Sequence, residues 1–287
     1  MDLSFSSVVF ATDFSASVRA AGRYAAQIAQ HFDAELIVVH AFALVHAAEE
    51  AEVFGHVHSA QRKQLEHLLS ETVMELTPPA RKSGTVLGEG SPVDLICRVS
   101  EQHQPSLIVL GTHGGGAMER HLLGSVAEEI LRAIPSPILT VGPHVAVPSS
   151  ARLEFRHILY ATDFSAAAAH AAPYAFGLAR AFGSDIDVLH IASAEETERY
   201  DVTEREQELL GALDKLLPED AREFCRPRNF VEFGDARDCI INHARERDVD
   251  LIVLGAHQHS HLAMHLRTGP AFHIIVKAPC PVLTTCV

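Results

Sequence analysis

The chain repeats itself, and that repeat constrains its fold more than any other feature. VVFATDFS at 8–15 returns as ILYATDFS at 158–165, an offset of 150. LIVLGTH at 107–113 returns as LIVLGAH at 251–257, and PILTV at 137–141 returns as PVLTT at 281–285, both at an offset of 144. Three ordered matches with one change of spacing describe a duplicated domain. The second copy has lost six residues net in its middle. The period is far too long for a solenoid, whose repeats run to roughly 20–50 residues. The join falls in 143–151, which holds two Pro and two Ser, so the domains are set at 1–146 and 147–287. A length of 287 residues fits two domains of the usual size, about 100–200 residues each.

Each copy alternates short apolar runs with longer amphipathic stretches. In the first copy the runs are 7–12, 35–41, 83–88, 107–111 and 137–142. They are rich in Val, Ile and Leu on both faces, as strands covered on two sides are. Between them, 16–32 places Val18, Ala21, Ala25, Ile28 and Ala29 on one helical stripe, and 49–76, 92–103 and 125–134 follow the same rule. The expected fold is α/β, two tandem five-stranded parallel sheets flanked by helices. In such Rossmann-like sheets a ligand sits beyond the carboxyl ends of the strands, where the strand order reverses.

The first copy carries a candidate anion loop at that place. The run LIVL ends in Gly111-Thr112-His113-Gly114-Gly115-Gly116, and Gly124-Ser125 then opens the helical stretch VAEEILRAI. Glycines let backbone approach a ligand closely. A helix N-terminus offers N–H groups and a favourable dipole to an anion. Arg120 and His121 lie in the same loop. The loop is neither a Walker A sequence nor a GxGxxG fingerprint. Read on spacing alone, it is equally a structural turn with Ser125 as an N-cap. At the 144 offset Gln258, Thr268 and Gly269 replace Gly114, Gly124 and Ser125, and only Gly255 matches Gly111. Phosphate binding is therefore expected in the first copy alone. Asp13 and Asp163 close the first strand of each copy. They read either as ribose or adenine partners or, with Ser15 and Ser165, as helix caps.

ATDFS after the first strand and Gly111-x2-Gly114-x9-Gly124-Ser125 after the fourth resemble the universal stress protein family, and the resemblance spans both halves. It implies an adenine nucleotide α-hydrolase-like sheet in the order 3-2-1-4-5. It also implies ATP, with Mg²⁺ as a candidate companion. Adenine and ribose would meet Ala11, Thr12, Asp13, Ala41 and Leu110. The phosphates would meet Gly111, Gly114, Gly124, Ser125 and Val126. Family members pair through their last strands, so PILTV and PVLTT would join the copies as an internal pseudo-dimer, with a further homodimer open. The role implied is a cytoplasmic stress-response protein, at most a slow ATPase, with a regulatory or structural second domain. A related hydrolase with an acceptor substrate, a nucleotide-independent interaction module and a metal-responsive module are the rivals.

A formal net charge of −14 repels nucleic-acid phosphates and anionic lipid, so neither is expected as a partner. No run of about 18 apolar residues is present, and the segment Met1-Asp2-Leu3-Ser4 opens no signal-peptide pattern, so no membrane association is expected. Five cysteines without a CxxC suggest reduced thiols, and Cys239 reads as a small buried residue. Of 19 histidines, His257, His259, His261 and His265 crowd the degenerate loop of the second copy. They could ligate a divalent metal but read more simply as a polar loop. His56 and His58 diverge on a helix and are given no metal role. The acidic stretch 195–208 reads as a solvated helix face.

Overall fold

A computed structural model describes residues 3–43, 51–78, 81–113, 123–150, 152–193, 201–256 and 270–286. In the first copy β1 (Ser7–Ala11), β2 (Glu35–Phe42), β3 (Ser83–Glu89), β4 (Ser106–Gly111) and β5 (Ile138–Val141) alternate with α1 (Arg19–Phe32), α2 (Ala51–Leu76), α3 (Pro92–Gln102) and α4 (Ser125–Ala133). The second copy repeats the plan. Its strands are β6 (His157–Ala161), β7 (Asp185–Ala192), β8 (Pro227–Phe233), β9 (Leu251–Ala256) and β10 (Val282–Cys286). Its helices are α5 (Ala166–Phe182), α6 (Val202–Asp214), the single turn α7 (Ala221–Phe224), α8 (Ala236–Glu246) and α9 (Pro270–Lys277). The offset changes between the second and third strands of each copy. There the 26 residues of α2 face the 13 residues of α6 and the short α7.

The ten strands form one sheet in the order β3-β2-β1-β4-β5-β10-β9-β6-β7-β8. Each half is parallel throughout and runs 3-2-1-4-5, as the resemblance implied. The halves meet where β5 and β10 pair antiparallel, with Leu139 opposite Leu283. The carboxyl ends of the two halves therefore face opposite ends of the sheet.

The strands are buried on both faces because helices cover both. One core lies under α1, α2, α5 and α6, and includes Phe10, Leu69, Tyr160 and Leu213. The other lies under α3, α4, α8 and α9, and includes Ile37, Ile96, Ile130 and Ile252. Both cores run through both copies. The expected linker is not a loose tether. Val145, Leu153 and Phe155 are buried, Gln27 donates to the Ser150 carbonyl, and Tyr24 of α1 stacks parallel to Phe155.

Helix ends follow local chemistry. Ser91 caps α3 by accepting from the Asp94 N–H, with Pro92 at the first helical position. α1 closes on Asp33 in the left-handed region (φ 52°), and α5 closes at the equivalent Gly183 (φ 66°). The described part of the acidic stretch is helical, and Asp201 caps α6 through Thr203 and Glu204.

Candidate functional site

The ATDFS turn has the same geometry in both copies. Thr12 Oγ1 accepts from the Phe14 N–H at 3.0 Å, and Thr162 Oγ1 from that of Phe164 at 3.1 Å. Asp13 Oδ1 accepts from the Ser15 N–H at 3.0 Å, and Asp163 Oδ1 from that of Ser165 at 2.9 Å. Phe14 and Phe164 both take positive φ, 63° and 60°. The ring of His40 lies against Phe14 while its Nδ1 meets the Thr12 carbonyl, and His190 does the same for Phe164 and Thr162. Much of this motif is thus a way of turning the chain off the first strand.

The copies part company at the next residues. In the second, Ser165 Oγ accepts from the Ala168 N–H and α5 starts at once at Ala166. In the first, Ser15 makes no side-chain cap, a 3₁₀ turn fills Ala16–Val18, and α1 starts only at Arg19. The freed hydroxyls form a chain. Ser15 Oγ donates to Asp13 Oδ1 at 2.6 Å and lies 2.6 Å from Ser17 Oγ, which donates to the His113 carbonyl at 3.0 Å. A polar bridge so joins the turn after β1 to the loop after β4. Ala166 and Ala167 stand where the first copy has Ala16 and Ser17, so the second copy has no hydroxyl for the far end of that bridge. The simple capping reading holds for Ser165 and not for Ser15, which makes no side-chain cap bond.

The end of the fourth strand differs in step. A β-carbon added at Gly111 would lie 2.9 Å from a methyl of Val18. At Gly255 it would lie 2.0 Å from the carbonyl oxygen of Ala167. In the second copy the main chain of α5 itself presses on β9. In the first, the close approach at the equivalent point is a side-chain methyl, and main chain comes no nearer than the Val18 Cα at 3.5 Å.

Helix α4 begins where expected, but its glycine works differently. The N-cap is Gly124, not Ser125, and φ is an ordinary −63°. Its N–H is spent on the Thr112 carbonyl at 2.8 Å, and an added β-carbon would lie 3.2 Å from that oxygen. Gly124 therefore seats the helix start on the β4 loop. The amides without an acceptor inside the helix are those of Ser125, Val126 and Ala127, and the first two are the ones on exposed residues. Gly111 likewise gives its missing side chain to Val18 rather than to a tight turn.

Of the other expected residues, Thr12 is buried, Asp13 is exposed, and Ala11 and Ala41 are half-buried at the carboxyl ends of β1 and β2. Leu110 is buried in the core, so it can offer a ligand only its main chain. Gly114, Arg120, His121 and the histidines at 257, 259, 261 and 265 lie outside the described residues, as do the side chains of His56 and His58. Among the described residues no group of three or more His, Cys, Asp or Glu is placed to hold a metal, and no helix is long and apolar enough to cross a membrane. All five cysteines are free; Cys239 is half-buried, and burial pushes its thiol up.

Fold and local geometry together define a fused pair of five-stranded α/β units that differ at the carboxyl end of the fourth strand, one bridged there by hydroxyls and one packed there by helix main chain. The universal stress protein family model matches residues 4–142 and again 154–285, and the chain belongs to that family. A universal stress protein of Methanocaldococcus jannaschii is 29% identical over 145 residues, covering 48% of this chain and 82% of its own. One from Thermus aquaticus is 30% identical over 137 residues, covering 48% of this chain and 98% of its own. Among solved structures, a universal stress protein from Archaeoglobus fulgidus matches with a TM-score of 0.70 at 19% identity, over 99% of both chains.

Proposed function

We propose that this chain is a stress-response protein of the cytoplasm that binds one adenine nucleotide, ATP, in its first domain (1–146), and none in its second (147–287). The observation that carries this reading is the hydroxyl bridge from Asp13 through Ser15 and Ser17 to the His113 carbonyl, which among the described residues is found in the first copy, while Ala167 stands in place of Ser17 in the second. A purely structural turn gives no reason for the two copies to differ there.

In this reading adenine and ribose rest against Ala11, Thr12, Asp13, Ala41 and the main chain of Leu110. Phosphates lie between Gly111, Gly114 and the start of α4, where the amides of Ser125 and Val126 and the helix dipole favour negative charge. Gly124 shapes that start. Asp13, Ser15 and Ser17 are hard oxygen donors of the kind that suits Mg²⁺ carried in with the phosphates. In this reading the function is binding, with at most slow hydrolysis of ATP. The β5–β10 pairing serves as an internal pseudo-dimer contact.

Isothermal titration of ATP and Mg²⁺ into the nucleotide-stripped full chain tests this. One site per chain is expected. Two sites would overturn the asymmetry, and none in a folded protein would leave the interaction-module reading.

A further inference from the structure

The second copy holds a buried ionic cluster where the first has the apolar Ile37 and Val99 beside small or polar residues. Asp187 of β7 is fully buried at the amino-end side of the sheet, on the face under α8. Its carboxylate is met by Arg247 Nε at 2.6 Å, Arg228 Nε at 2.9 Å, His157 Nε2 at 2.9 Å and His243 Nε2 at 3.2 Å. Glu232 Oε1 lies 2.6 Å from the other ring nitrogen of His243. The duplication supplies the comparison. By strand register and the 144 offset, Asp187 replaces Ile37, Arg228 replaces Gly84, Glu232 replaces Gly88, His243 replaces Val99, Arg247 replaces His103, and His157 replaces Ser7. Six positions changed together, each bringing a charged or titratable group to one spot. Uncompensated buried charge is costly, so members of such a set are interdependent.

His243 is the pivot. It sits on α8 with its side chain only 4% exposed, and its two nitrogens face carboxylates on two different strands. A carboxylate accepts and does not donate, so both contacts are made only when both nitrogens carry hydrogen. His157 shares the Asp187 carboxylate through its Nε2, with Arg228 3.0 Å from that nitrogen and the Arg247 carbonyl at its Nδ1.

We propose that His243 is a proton-operated latch: as an imidazolium it ties α8 to both β7 and β8 through Asp187 and Glu232, and its deprotonation releases α8 from the edge of the second sheet half.

The charged surroundings are consistent with that role. From β7 His243 faces Asp187; from β8, Glu232 and, through Asp187, Arg228; from β6, His157 on the same carboxylate. Its own helix ends at Arg247, whose guanidinium also lies over Phe230. Along α8 stand Arg237, which pairs with Asp235, then Asp238, Cys239, Arg245 and Glu246, and the adjacent α9 brings His273 and Lys277, whose carbonyl accepts from Arg245. Burial pulls the His243 ring down, but hydrogen bonds to Asp187 and Glu232 outweigh it and raise its pKa above the ordinary value. Burial alone would raise Asp187, yet bonds from His157, His243 and Arg247 hold it well below the carboxylate range. Asp187 thus stays ionised while His243 titrates. A raised histidine pKa gives stability that is complete below the unfolded value of about 6.5 and lost as pH rises through the folded value. The latch therefore closes in acid and opens in base.

Hydrogen exchange on the full chain, corrected for intrinsic rate and followed from about pH 6 to about pH 9, reads this directly, with α3 as the internal control. Protection of α8 amides (236–246) should fall by up to about tenfold per pH unit across the window, while α3 amides (92–102) keep theirs. In His243→Gln the α8 slope should disappear. Equal behaviour of α8 and α3, or an unchanged slope in the variant, would overturn the proposal. Should that variant not fold, the ring signal of His243 in the unmodified chain decides. Double protonation near pH 7 supports the latch, and a neutral ring there rejects it.

Discussion

Removing the Asp187 carboxylate is the sharpest test of the ionic cluster as a structural element. Asp187→Ala deletes a fully buried anion and leaves four cationic or protonatable partners facing one another. The cost depends on which of them water can reach. Arg228 and Arg247 are 42% and 31% exposed, so they can rehydrate and lose little. His243 and His157 are 4% and 13% exposed and cannot. Removing one partner of a buried pair costs about 3–5 kcal/mol. With two of the four partners able to turn to solvent, the lower end, about 3 kcal/mol, is expected. Urea unfolding at pH 6.5–7, followed by circular dichroism, measures it by linear extrapolation. The double variant Asp187→Ile with His243→Val restores the Ile37–Val99 pairing of the first copy. It should recover part of the loss, because apolar residues often replace buried ion pairs without penalty, while His157 is left without its carboxylate partner. A loss below about 1 kcal/mol for Asp187→Ala, the range of an exposed pair, would refute the reasoning. So would a double variant no better than the single one.

Gly255→Ala should destabilise by at least about 1–3 kcal/mol, since its β-carbon meets main chain, whereas Gly111→Ala should cost less because a Val18 methyl can move; paired thermal melts compare them. Ser17→Ala should weaken ATP binding by roughly 3- to 10-fold, the worth of one hydrogen bond, with no change in melting temperature beyond a degree or two; calorimetric affinity at fixed Mg²⁺ checks it. Asp163→Ala should leave ATP affinity unaltered within about twofold, and a tenfold loss would show the second crevice to be occupied. Gly114→Val should abolish ATP binding without unfolding the chain, as read by titration and circular dichroism together.

The sheet was legible because its strands are Val, Ile and Leu on both faces and because each was written twice. Matches at 150 and 144 also located the lost residues, which fall between β7 and β8. The crevice was only half legible. Gly111 and Gly124 stood out by type and spacing, yet their reasons lie in contacts with Val18 and the Thr112 carbonyl, which no local pattern encodes. Ser17 went unread because a lone serine in a helical stretch looks like surface. The signal that could have found it was the copy-to-copy change from Ser17 to Ala167. The ionic cluster was invisible for a related reason. Asp187 sits within a strand-like run, and its partners come from β6, β8 and α8, distant in sequence. Aligning the copies position by position would have exposed all six replacements at once.

The antiparallel seam at Leu139 and Leu283 has an evolutionary consequence. Two separate identical chains meeting at such a seam must carry every mutation in duplicate. Once both are covalently joined, encounter no longer depends on concentration, because the tether sets a high effective molarity. Selection can then alter one half and leave the other as its scaffold. The retained seam, the packed second crevice and the ionic cluster on one side only are what such freed divergence leaves behind.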